Sequence, residues 1–79
     1  MTVVEVKSLT SANEAGQIRL GLGQVLDYQH QLDQAGAKVQ AVLAVECAPT
    51  GEHWLVLCRR HGVQLVWPDT FNLLFDPAP

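Results

Sequence analysis

Apolar and polar positions along the first residues follow a short period. Val3, Val4 and Val6 surround Glu5 and Lys7, and a polar stretch follows at residues 8–13, which predicts a strand over residues 2–7. Side chains alternate across a strand, so Glu5 and Lys7 share one face while Val4 and Val6 share the other. The period then lengthens. Ala15, Ile18, Leu22, Val25, Leu26, Leu32 and Ala35 recur mainly at spacings of three and four, the apolar stripe of a long helix. Ser11 and Glu14 have the spacing of a capping box at its start, and Gly36 is a natural stop. Residues 38–46 contain the nearly continuous apolar run Val39, Ala41, Val42, Leu43, Ala44 and Val45, suited to a strand covered on both faces. A turn is expected at 47–51, around Pro49, Thr50 and Gly51. Residues 52–61 read as a short helix with Trp54, Leu55, Leu57 and Cys58 inward, closed by Gly62. Residues 63–67 then form a third strand, ended by Pro68. The pattern is α/β: a small three-stranded βαβαβ unit with parallel strands and one long helix. A single domain over residues 1–79 is expected, with a core at 1–68 and a tail at 69–79. In that tail Phe71, Leu73, Leu74 and Phe75 are apolar enough to pack on their own subunit or clasp a neighbour.

Three glycines interrupt the long helix. Gly16, Gly21 and Gly23 each cost up to ~1 kcal/mol relative to alanine. Close approach to the sheet, a partner helix or a substrate backbone would offset that cost, and packing is the first expectation. Gln17, Gln24 and Gln31 are seven apart, and with Gly21 and Tyr28 they draw a polar line beside the apolar one.

Composition narrows the class. With 79 residues, of which 48% are hydrophobic, the chain can form a compact core, but a domain this small is marginal without help. Homo-oligomerisation, a dimer first, is therefore expected. Cys47 and Cys58 occur without a secretory signal or a dense disulfide pattern, which points to a reducing cytoplasm. No apolar run approaches the ~20 residues of a membrane span. A net charge of −3 argues against a strong non-specific grip on nucleic acid. The basic cluster Arg59, Arg60 and His61 reads first as a solvated helix end.

The order E-x-K at Glu5 and Lys7, followed by Q-x-x-x-Y at Gln24 and Tyr28, resembles the PD-(D/E)XK nuclease superfamily, particularly its RecB-like branch. The wider strings at residues 5–10 and 17–28 are similar to a bacterial group within it. The resemblance implies part of a restriction-endonuclease-like fold. It also implies that Glu5 is a ligand for Mg²⁺ in phosphodiester hydrolysis of DNA, that Lys7 positions the attacking water, and that Gln24 and Tyr28 steady the site or touch the nucleic-acid backbone. The family's preceding aspartate strand has no counterpart before Glu5, so a second carboxylate must come from Glu14, Glu46 or a partner subunit. The alternative is a non-catalytic homo-oligomeric or DNA-binding module, of the kind a mobile element carries, in which Glu5 and Lys7 are structural. Cys47, His53, Cys58 and His61 have the residue types for zinc, but their spacing fits no common zinc pattern.

Overall fold

The computed structural model describes residues 1–70, so the apolar segment at 71–75 lies outside the described residues. Three strands, β1 (Thr2–Lys7), β2 (Gln40–Val45) and β3 (Val63–Val66), form one sheet in the order β1-β2-β3. Both pairings are parallel, with Thr2 opposite Gln40 and Ala41 opposite Val63. The connections are helices α1 (Glu14–Gln34) and α2 (His53–Arg60), and a short 3-10 turn at Pro68–Thr70 follows β3. The chain is thus the α/β unit that the periodicity predicts. The second strand is slightly shorter than expected, because Lys38 and Val39 belong to the connection; the Val39 carbonyl there accepts from Gln29 Nε2 at 3.2 Å.

Both helices cover the same face of the sheet. Ile18 and Val25 from α1 and Trp54 and Cys58 from α2 pack in one core with Ala41, Leu43, Val45, Val63 and Leu65. Val42, Ala44 and Val66 form a second cluster on the other face. As the central strand, β2 is buried on both sides from Ala41 to Val45, which explains its continuous apolar run. Leu55 departs from expectation. It lies about 100° round the helix from Trp54 and is exposed, while Trp54 and Cys58, one turn apart, are the buried stripe.

The helix ends follow local chemistry. At the end of α1, the Gly36 N–H donates to the Asp33 carbonyl and the Ala37 N–H to that of Leu32, with Gly36 at φ 88°. This is the Schellman arrangement that glycine favours. The start of α1 is a correction. Ser11 and Glu14 make no capping box. Instead the Thr10 N–H donates to Asn13 Oδ1 at 2.7 Å and the Asn13 N–H to Thr10 Oγ1 at 3.2 Å, a reciprocal pair one residue earlier that leaves the Glu14 carboxylate for another use.

Candidate functional site

Glu5 and Lys7 project from the inner face of β1 toward α1, as strand alternation requires, while Val4 and Val6 face outward and are exposed. Lys7 Nζ stands 3.5 Å from Glu5 Oε1, with side-chain exposures of 15% for Lys7 and 20% for Glu5. A partly wet pair of this kind contributes about 0–1 kcal/mol to stability. It is placed by Gly21. A Cβ there would fall 2.6 Å from Leu43 Cδ1 and 3.0 Å from Lys7 Cγ, so α1 lies in the groove between β1 and β2 only because residue 21 has no side chain. Gly16 and Gly23 have nothing within 4 Å, and close packing accounts for neither.

α1 runs back against the strand direction, since it delivers the chain to Gln40, whose N–H donates to the Met1 carbonyl at 2.9 Å. Gln24, one turn beyond Gly21, therefore lies toward Glu5, and Tyr28 lies one further turn along the same flank. The four residues of the E-x-K and Q-x-x-x-Y patterns thus share one side of the α1/β1 layer, but they are joined only in part. Glu5 and Lys7 form an ion pair. Gln24 Oε1 is buried with no hydrogen-bond partner, and Tyr28 is half exposed.

The other carboxylates considered for the site are committed elsewhere. Glu14 accepts from the Thr50 N–H at 2.8 Å, the Thr50 hydroxyl at 3.0 Å and the Gly51 N–H at 3.1 Å, holding the start of α1 to the loop before α2. These donors, the Thr50 N–H first, hold its carboxyl below the ordinary glutamate value against an opposing desolvation effect. Glu46 Oε1 accepts from the Leu9 N–H at 2.8 Å. Among the described residues no group of three or more His, Cys, Asp and Glu side chains could hold a metal ion. One carboxylate paired to an ammonium does not make a Mg²⁺ site by itself, so the chain's own residues fit that ion incompletely. Nor do Cys47, His53, Cys58 and His61 converge as a zinc set. Cys47 is exposed, whereas Cys58 is buried in the core, where desolvation pushes its thiol pKa up.

Two hollows, of about 570 and 320 Å³, lie against α2 and β3 and share Leu55, Leu65 and Trp67 in their walls. Neither is lined by Glu5, Lys7, Gln24 or Tyr28. The basic cluster sits at the exposed C-terminal end of α2, with Arg59 and Arg60 in its last turn, where cations complement the helix dipole. Among the described residues no helix is long and apolar enough to cross a membrane.

No protein-family model, curated protein or solved structure matches this chain. Spacing alone does not mark Glu14 as a loop anchor, because Ser11 offers it a local partner at the right spacing. The Thr10/Asn13 pair was visible in the same sequence as a second, equally spaced polar pair.

Proposed function

We propose that the chain is a PD-(D/E)XK nuclease-like domain, acting on phosphodiester bonds of DNA with Mg²⁺ when a partner subunit, a second copy of the chain, supplies the second carboxylate. Its own contribution is Glu5 as one metal ligand, Lys7 as the cation that orients water, and Gln24 with Tyr28 as groups that steady the site or touch the nucleic-acid backbone. The observation that carries this reading is the placement of Glu5 and Lys7, side by side and still reachable by solvent, beneath a helix whose Gln24 keeps a buried carbonyl oxygen without a partner. Buried acceptors are nearly always satisfied in finished structures, and an exception calls for a ligand, a water or a partner chain.

The test is Mg²⁺- or Mn²⁺-dependent cleavage of labelled single- and double-stranded DNA by the purified chain, alongside Glu5→Gln. Cutting that depends on metal and falls by at least ~100-fold in Glu5→Gln is the expected result. Absence of cutting, or cutting indifferent to Glu5, overturns it. A second reading is a cytoplasmic, non-catalytic module that assembles with itself. It is favoured by the commitment of Glu14 and Glu46 to backbone donors and by the net charge of −3.

A further inference from the structure

The open edge of β1 carries a self-complementary pattern. β2 pairs with β1 on one side only, and among the described residues nothing pairs with the other. Because the Met1 carbonyl points at β2, alternation along the strand turns Val3, Glu5 and Lys7 toward β2 and leaves the N–H and C=O groups of Thr2, Val4 and Val6 facing the open edge. An unpaired edge of this kind is a template for another strand. Val6, the last of these three and one residue from the end of the strand, is 69% exposed.

We infer that this edge pairs antiparallel with β1 of a second copy of the chain, about a two-fold axis at Val6. Charge selects that register. With the axis at Val6, Glu5 stands opposite Lys7 of the second copy and Lys7 opposite its Glu5, both as the closer, non-hydrogen-bonded pairs. Together with the ion pair inside each strand, the four charges alternate around a square. An axis at Glu5 would set the two carboxylates opposite each other, and one at Lys7 the two ammoniums, each unfavourable. An axis at Val4 would leave Glu5 opposite Val3 and Lys7 opposite Met1, with no cross-strand pairing of charge.

The helix layer agrees with the same axis. Arg19 lies over the Trp54 ring of α2, at 5.7 Å, so the opposite flank of α1, carrying Leu20, Gln24 and Tyr28 at helical spacing, overlooks the β1 edge. Leu20 and Tyr28 are 51% and 45% exposed, and Gln24 between them holds the unpartnered oxygen. Since Gly21 seats α1 between β1 and β2, the two copies of α1 in a joined sheet lie about two strand spacings apart, roughly 10 Å. That is an ordinary helix packing distance. The Gln24 side chains then approach across the axis, where each amide can donate to the other's oxygen. This assembly seats Glu5, Lys7 and Gln24 in the interface, so it belongs to the non-catalytic, self-assembling reading and does not require that the chain cut DNA.

The test is sedimentation velocity of the full chain over a range of concentrations, with cysteine cross-linking to fix the register. A dimer is expected. Glu5→Lys should weaken it by on the order of tenfold or more, and combining it with Lys7→Glu should restore it to within about threefold. In a Cys47→Ser background, Val6→Cys should oxidise to a covalent dimer, because the two Cα atoms on the axis fall within disulfide range. Val4→Cys, opposite Ser8 of the second copy, should not. A monomer at all concentrations, a dimer insensitive to Glu5→Lys, or cross-linking at Val4 in place of Val6 overturns the proposal.

Discussion

Gly21 and Gly23 sit two residues apart in one helix and make opposite demands. At Gly21 an added methyl would meet Leu43, whose side chain is fully buried, and the stem of Lys7. Overfilling a packed core of this kind costs about 1–3 kcal/mol, more than the ~1 kcal/mol of helix propensity that alanine returns. At Gly23 there is open space, and only the propensity gain remains. Gly21→Ala is therefore expected to lower the unfolding free energy and Gly23→Ala to raise it by up to ~1 kcal/mol. Urea titrations of the two variants beside the parent chain check both signs. Equal effects would remove Gly21 as the seat of α1 on the sheet.

Among the elements, the loop between β2 and α2 is tied to the start of α1 by one charged group. Glu14 gathers two N–H donors and one hydroxyl from Thr50 and Gly51, and its depressed pKa ties that contact to pH. A carboxyl titrating lower in the folded than in the unfolded chain contributes stability that is fully present above the unfolded value, about 4.3. That contribution disappears as pH falls through the folded value. The thermal midpoint should accordingly lose support below about pH 4, and Glu14→Gln should flatten that part of the profile while lowering the midpoint at neutral pH. An unchanged acid limb in Glu14→Gln would assign the loop's order to other contacts.

This anchor also marks where sequence legibility stops. The strands and helices were readable because their apolar periods coincide with burial: Ala41 to Val45 on both faces, Ile18 and Val25 on one. The partner of Glu14 was not readable, since Thr50 is thirty-six residues away and a plausible local partner stood at Ser11. The candidate site was half legible. Strand alternation alone places Glu5 beside Lys7, but whether Gln24 finds a partner depends on packing that no local spacing encodes. Leu55 failed for a similar reason: its hydrophobicity gives no angle, and the turn from Trp54 to Cys58 decides which side of α2 faces the core.

For the whole molecule the decisive property is that, among the described residues, no two strands form a hairpin: both pairings are parallel and each is closed through a helix. β1 meets β2 only after α1 has been traversed, with Thr2 beside Gln40, and β2 meets β3 only after α2, with Ala41 beside Val63. A hairpin would let sheet formation begin from a tight turn. Here each ladder requires a loop of twenty or more residues to close first, and the entropy of that closure precedes any reward from pairing. Refolding should therefore be slow for a chain of 79 residues, in milliseconds or longer and not microseconds, with α1 acquiring helical signal before the core tryptophan Trp54 reports burial. Stopped-flow circular dichroism and fluorescence would register that order, and simultaneous microsecond phases would contradict it. During synthesis the same geometry sets a waiting time. β1 leaves the ribosome before β2, with Val4 and Val6 on one side and a charged pair on the other, and some thirty further residues must be translated before β2 can pair with it. Through that interval Glu5 and Lys7 act as gatekeepers, keeping an otherwise valine-rich strand from the aggregation that a wholly apolar one would invite.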